Sequence, residues 1–314
     1  MEIKKIVYSI KKIIGMPYIE LYFIFTTIRS RIEIKDSYET VNYILKHHCS
    51  ISRYGDGEFN MILQYVSNGE YKIGNGFQRY NKNLAKRLYE ILKEEAYPSN
   101  HIVCIPYWFK RKGLIIYKRD VKYFCLKYFY KHYKDIISCI NKHRIYYNAN
   151  ISRFYMSYKD KSGCRDYVHL LQKIWNKRDV YFVEGEYSRL GVGNDLFANA
   201  LSIRRILCPS IDAFDFYDTI VMKIKELVPI DGLVILALGH TATVMAYDLS
   251  KLGYQALDLG HIDVEYEWMI HNAKNKIKLK NKYVNEAGGI ESDPNFHDVK
   301  YKSQIIAQIP ENKC

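Results

Sequence analysis

None of the seven cysteines in this 314-residue chain belongs to a CxxC pair. Their positions, 49, 104, 125, 139, 164, 208 and 314, lack the spacing of a zinc site, and an odd count argues against a disulfide framework. Several sit in apolar runs such as Val103-Cys104-Ile105 and Leu207-Cys208-Pro209, where a reduced thiol acts as a small hydrophobe. That usage points to a reducing cytoplasm. Long hydrophobic runs are also scarce. The best candidate, Ile13 to Ile28, is 16 residues long and carries Pro17 and Glu20, short of the roughly 20 residues that span a bilayer. No small-residue cleavage site follows it, so nothing indicates a secretory signal. There is no internal repeat, no low-complexity tract, no Walker motif and no G-x-G-x-x-G fingerprint, which excludes solenoids and the standard dinucleotide and P-loop sites.

Positive charge is abundant. Lys and Arg number 47 against 34 Asp and Glu, a net +13 with a pI near 9.2, and this balance favours anionic partners: a nucleotide diphosphate, nucleic acid or a membrane surface. Hydrophobic residues at 48% and charged residues at 26% fit a globular chain with a sizeable core. Residues 1–36 form a basic, apolar N-terminal segment. It reads either as a leader with a core-packing helix or as an interfacial helix with Lys4, Lys5, Lys11 and Lys12 on lipid headgroups. The Lys-, Arg- and Tyr-rich stretch from Trp108 to His143 has helical periodicity and reads as a solvated basic face, with a membrane- or acceptor-facing surface as the alternative.

Helical patterns begin at Asp36 and Asn81, and an apolar run marks a strand over 101–107. From residue 165 strands and helices alternate: a helix (RDYVHLLQKIWNK), a strand over 179–184, a glycine-bearing loop and a helix (NDLFANALS). Strands RRILCPS, GLVILALG and QALDLG then alternate with helices FYDTIVMKIKELV and TATVMAYDLSKLG. Near-continuous apolar strands separated by helices predict a mostly parallel sheet covered on both faces, a single Rossmann-like α/β domain over 37–288. Residues 289–314 read as a loose polar C-terminal tail with one short apolar patch.

Open α/β sheets bind ligands at the carboxyl ends of their strands. Three segments carry charge or glycine there. The first is Arg53-Tyr54-Gly55-Asp56-Gly57-Glu58. On an extended backbone the carboxylates of Asp56 and Glu58 project to one side, and two hard oxygen donors suit Mg²⁺ or Mn²⁺ on a diphosphate. Gly55 and Gly57 permit a tight turn and a close ligand; an ordinary polar turn is the competing reading. The second segment runs from Glu184 and Gly185 through Glu186, Ser188, Arg189, Gly191, Gly193 and Asn194 to Asp195, between a strand and the expected helix, where backbone N–H groups favour phosphate. Arg189 is either a phosphate contact or an ion-pair partner of Glu184 or Glu186. The third comprises Gly239-His240-Thr241, again a strand-turn-helix junction, and Gly260 to Trp268. There, strand alternation would put His261, Asp263 and Glu265 on one face, with a carboxylate able to deprotonate a hydroxyl.

The stretches ISRYGDGEFN, YYNANISRFYMSYKDKS, WNKRDVYFVEGEYSRLGVGNDLFANALSIRRILCPS, ALGHTATVMAYDLSKLGYQALDLGHIDVEYEW and NKYVNEAGG, in this order, resemble the GT-D-type glycosyltransferases over roughly residues 37–288. The resemblance implies a GT-D-type Rossmann-like fold and transfer of a hexose from a UDP-sugar, with Mn²⁺ (or Mg²⁺) held through a D-x-E motif falling on Asp56 and Glu58. It implies that the segment from Glu184 to Asp195 lines the nucleotide pocket, and that Asp263 or Glu265 is the place to look for the catalytic base. Pro would be expected where His240 stands. The implied partners are a UDP-sugar and a glycan acceptor, lipid- or protein-linked, with bacterial surface-polysaccharide or glycoprotein synthesis as the setting. The cysteine usage places the protein in the cytoplasm, and the basic N-terminus fits peripheral contact with the inner face of an anionic membrane. A metal-dependent phosphohydrolase or nucleotidyltransferase would share the carboxylates. Nucleic acid is not an expected partner, since no RRM, KH, helix-turn-helix or zinc pattern appears.

Overall fold

Runs such as Val180-Tyr181-Phe182-Val183 and Leu233-Val234-Ile235-Leu236 have no polar position to offer to water, and both become central strands buried on each face. A computed structural model describes residues 17–69, 77–95, 97–290 and 297–309. Its strands are β1 (Glu33–Ile34), β2 (Ser50–Arg53), β3 (His101–Ile105), β4 (Ile145–Asn148), β5 (Asp179–Gly185), β6 (Ser202–Cys208), β7 (Leu233–Ala237), β8 (Gln255–Asp258), β9 (Tyr283–Val284), β10 (Gly289–Ile290) and β11 (Ile305–Gln308). Strands β9 and β10 form a small antiparallel ribbon. The other nine make one sheet in the order β1-β4-β3-β2-β8-β7-β5-β6-β11, parallel at every pairing.

The helices are α1 (17–30), α2 (Ser37–His47), α3 (Asp56–Val66), α4 (Lys82–Lys93), α5 (Arg111–Ile115), α6 (Arg119–Cys139), α7 (Cys164–Gln172), α8 (Tyr217–Leu227), α9 (His240–Lys251), α10 (Ile262–Ile270) and α11 (Val299–Gln304). Alternate strand residues divide the core. Val180, Phe182, Leu233 and Ile235 pack with α2, α7 and α10 on one face. Val103, Ile105, Tyr181, Val183, Val234 and Leu236 pack with α3, α4, α6, α8 and α9 on the other. The Rossmann-like α/β reading describes this domain.

From β2 the chain steps outward through β3 to β4. It restarts at β5, adds β6 on the far side, then returns inward with β7 and β8, which close against β2. The carboxyl ends of β2, β8, β7 and β5 therefore lie side by side at the reversal of strand order, where a ligand crevice forms.

Four local expectations fail. Asp56 and Glu58 lie in the first turn of α3 rather than on extended chain, because the Glu58 side chain accepts the Gly55 N–H (2.7 Å) and closes the helix start. No helix forms over NDLFANALS. The residues from 186 to 201 are turns, with Arg189, Gly191 and Gly193 at positive φ (48°, 72° and 79°). Residues His261 to Glu265 are the cap and first turn of a helix, not a strand. Every residue from Ile262 to Met269 is buried, so no amphipathic period marks the segment. Finally, the tail is not loose throughout: α11 packs on β6, and β11 pairs with β6 as the edge strand.

Near the other end, α1 buries Phe23 against Phe129 of α6 (ring centroids 4.7 Å), so this part of the N-terminal segment packs on the core. Lys4, Lys5, Lys11 and Lys12 fall outside the described residues. Among the described residues no helix is long and apolar enough to cross a membrane. Cysteines 49, 104, 125, 139, 164 and 208 are all free and buried; Cys314 lies outside the described residues.

Candidate active site

Arg53 ends β2 and ties the crevice together. Its five guanidinium N–H groups all have acceptors: the Asp258 carbonyl and Oδ1, the Ala149 and Gly260 carbonyls, and the Ser152 Oγ. Thr243 of α9 bonds both the Arg53 carbonyl and Asp258 Oδ2. In this arrangement Arg53 fixes the ends of β2 and β8 and has no donor left for a phosphate. Asp258, which orients it, carried no distinguishing signal in the sequence.

Beyond Arg53 the chain enters α3. Positions i and i+2 of a helix point roughly 200° apart, so the Asp56 and Glu58 carboxylates do not share a face. Asp56 is exposed, and its carboxylate accepts no hydrogen bond from the described residues. Glu58 spends Oε2 on the Gly55 N–H and turns Oε1 toward His240 Nε2 at 3.9 Å. The imidazole lies against Gly57 so closely that a Cβ there would stand 2.3 Å from Nε2. His240 opens α9 behind Gly239 (φ 54°). Its ring is buried and its Nδ1 has no hydrogen-bond partner among the described residues. Thr241 is buried, its hydroxyl 3.4 Å from Gln78 Oε1. Among the described residues no three His, Cys, Asp or Glu side chains converge as a metal cage. An open Asp56 carboxylate, with Glu58 Oε1 nearby beside His240, nevertheless offers the hard oxygen donors a divalent cation takes, with water and diphosphate oxygens for the remaining positions.

The loop after β5 is braced from within. Glu184 is fully buried, pairs with Arg205 of β6 and accepts the Leu190 N–H at 2.8 Å. Burial pushes its carboxyl above the usual range, against the pull of Arg205. The partner of Glu184 is thus Arg205, not Arg189, which donates to the Asn281 carbonyl (2.9 Å). Asp263 Oδ1 accepts the Gly191 N–H (2.9 Å) and Asn194 Nδ2 (2.8 Å), while Oδ2 meets Lys282 Nζ at 2.6 Å. Lys282 also reaches Glu267 (3.0 Å). Burial would lower the Lys282 pKa, but the two carboxylates hold it above its ordinary value. Asp195 accepts the Tyr266 hydroxyl (2.5 Å). Glu186 and Ser188 are half-buried, and Ser188 closes a turn onto the Gly185 carbonyl. A cavity of about 510 Å³ opens between this loop and residues 277–282, bordered by Arg189, Val192, Gly193, Glu267 and His271.

His261, Asp263 and Glu265 diverge. Glu265 is buried under α10, where it accepts the Tyr155 and Met156 N–H groups (both 2.8 Å), and burial raises its pKa. His261, at φ 71°, bonds Glu286 through Nε2 (2.5 Å), and Glu286 also takes Arg153 at 2.7 Å. Burial, then Arg153, lowers the His261 pKa. Burial alone would raise the Glu286 carboxyl, yet His261 and Arg153 together hold it far below the carboxylate range. Arg153 follows Ser152, whose Oγ accepts from Arg53 (2.6 Å), so this cluster adjoins the carboxyl end of β2. Sequence reasoning missed Glu286, Arg153, Lys282 and Asp258, because their partners lie 25, 133, 19 and 205 residues away.

Acid- and glycine-bearing loops at the reversal point of a fully parallel, doubly covered sheet define a Rossmann-like ligand-binding domain. The chain belongs to the glycosyltransferase GT-D fold family, whose model matches residues 51–287. It is 35% identical over 284 residues to Glycosyltransferase GlyD of Streptococcus pneumoniae serotype 4 (strain ATCC BAA-334 / TIGR4), covering 88% of this chain and 33% of that protein. It is 36% identical over 273 residues to Probable glycosyl transferase Gly of Streptococcus gordonii, covering 86% of this chain and 38% of that protein. The chain therefore spans only 33–38% of the length of these relatives. A solved structure described as the highly conserved domain of unknown function 1792 with a distinct glycosyltransferase fold superposes with a TM-score of 0.82 at 36% identity, over 91% of this chain and 99% of that one.

Proposed function

We propose that this protein is a metal-dependent glycosyltransferase that moves a hexose, of glucose or galactose type, from a UDP-sugar to a saccharide acceptor in bacterial surface-polysaccharide or glycoprotein glycan synthesis. The observation that carries the reading is the meeting of the α3 start (Asp56 to Glu58) with the α9 start (Gly239 to Thr241) at the crevice, in a chain of this family. Asp56 would hold Mn²⁺ or Mg²⁺ directly, and Glu58, turned to another side of the helix start, would reach the ion through water in its shell; the ion would supply positive charge for the departing diphosphate. Backbone N–H groups at the opening of α9 add the helix-terminal field at the same place. Glu184 and Asp263 would act indirectly, by fixing the loop from Glu186 to Asp195 as a wall of the donor pocket. Of the three base candidates, Glu265 is committed to backbone amides and Asp263 to Lys282. His261 remains: burial favours its neutral form, and Glu286 fixes its orientation. It would take the acceptor proton if the reaction inverts configuration. The acceptor would be a lipid- or protein-linked glycan in the cytoplasm.

Thermal-shift titration with UDP-glucose and UDP-galactose, with and without Mn²⁺, tests this. Ligand at a hundred times its dissociation constant stabilises the folded state by about 2.7 kcal/mol. A metal-dependent shift is expected, and its absence with every UDP-sugar would count against the proposal. Asp56→Ala combined with Glu58→Ala should abolish metal-dependent UDP release; full activity in that variant would overturn the metal assignment. Sugar appearing on the acceptor, rather than free phosphate or a nucleotidylated product, separates transfer from hydrolysis and nucleotidyl transfer.

A further inference from the structure

Helix α1 hides Phe23 against α6, yet its outer side is not polar. Tyr18, Leu21, Phe25 and Ile28 are 63%, 66%, 62% and 71% exposed. Spacings of three, four and three residues put them on one face. A surface helix of a globular protein ordinarily turns charged residues outward there, and contiguous exposed apolar surface marks an interaction site. The face continues onto α6, because Tyr18 meets Tyr130 with ring centroids 6.0 Å apart and both rings are exposed. Phe124, Lys127, Lys131 and Lys134 are exposed along the same helix at spacings of three and four. On the acid side, Glu20 is held by Lys122 at 2.6 Å, which leaves Asp120 and Asp135 as the carboxylates of α6.

We propose that the joined outer faces of α1 and α6 dock on an anionic lipid bilayer. Four apolar side chains would enter the headgroup-acyl boundary, and the three lysines would lay their stems along it with their charges at lipid phosphates. Charge complementarity selects this occupant: an apolar row bordered by lysines matches a negative lipid surface. Docking has a consequence for the reaction, and only that consequence rests on the transferase reading. Phe124 stacks on Tyr128, whose hydroxyl reaches the Asp56 carbonyl (3.2 Å) and Asn60 Oδ1 (2.8 Å). The bilayer would therefore lie one aromatic pair away from the start of α3, and the acceptor class that fits is a glycan carried on lipid.

Co-sedimentation of the 314-residue chain with vesicles of phosphatidylcholine, alone or with about one-third phosphatidylglycerol, measures the docking without any sugar substrate. Binding to the mixed vesicles is expected, weakened by raised salt. Phe25→Glu combined with Ile28→Glu should reduce the bound fraction about tenfold, as should Lys127→Gln, Lys131→Gln and Lys134→Gln together. Met222→Glu, an equally exposed site on α8, should leave it unchanged. Because every altered side chain is exposed, melting temperatures should stay within about 2 °C of the unaltered chain. Failure of the unaltered chain to bind mixed vesicles overturns the proposal. So does undiminished binding by the α1 and α6 variants, which would assign the contact to residues 1–16. Conversion of a dimer to a monomer by Phe25→Glu with Ile28→Glu, seen by light scattering, would give the face to a second copy instead.

Discussion

Gly57 has no room for a side chain, since a Cβ there would meet the buried His240 ring. Gly57→Ala is therefore expected to cost about 1–3 kcal/mol as an overpacked site. In a His240→Ala background the clash is gone, and the same change should become stabilising by up to about 1 kcal/mol through helix propensity. Urea unfolding of the four proteins forms a double-mutant cycle; a destabilising Gly57→Ala in both backgrounds would refute the contact. Glu286 makes a second test. Its pKa in the fold lies below the roughly 4.3 of an unfolded chain, so its stabilisation is present above that value and is lost as pH falls. His261, whose pKa is lowered, adds a loss in the same direction as pH drops below about 6.5. Glu286→Gln should thus be less stable than the unaltered chain at pH 7 and should flatten the loss below about pH 4.3. Unfolding midpoints measured across pH check the sign.

At the scale of elements, the β5–β6 connection shows how a loop without a helix is held rigid. Three positive-φ residues turn it, and buried ions pin both sides: Glu184 with Arg205 beneath, Asp263 with Lys282 above. Arg205 also donates to the Leu190 carbonyl and Gln304. Removing one member of a buried pair strands the other, at about 3–5 kcal/mol. Arg205→Met should reach that range by denaturant unfolding and should weaken donor binding, whereas the neighbouring surface change Arg204→Met should stay within about 0.5 kcal/mol. The strands and amphipathic helices around this loop were legible because their apolar periods are strong. The loop itself was not. Asn194 and Asp195 read as a helix start, but their side chains bond α10, some 70 residues on.

At the scale of the whole molecule, residues 297–309 return to cover the outer edge of β6. Tyr301 and Ile309 are buried there, and burial of such side chains contributes about 1.5–3 kcal/mol each. Deleting 297–309 should lower the melting temperature and, by baring an edge strand, promote aggregation at concentrations where the full chain stays monodisperse. The polar composition with glycine and proline read as a loose tail, and its one short apolar patch did not mark a strand, because a short edge strand lacks the long apolar signature of a central one.

The sequence by itself determined the parallel α/β domain, the segments that end at the crevice and the family. Those properties rest on local periodicity and contiguous motifs, which sequence order preserves. Only the tertiary structure decided what each charged group does. Arg53 became a strand-end clamp, Glu184 a buried brace and Glu265 an anchor for backbone amides, while His261 gained Glu286 as partner. The physical reason is that a side chain's role follows from its burial and its partner, and both are set by elements that meet across the sheet at large sequence separation.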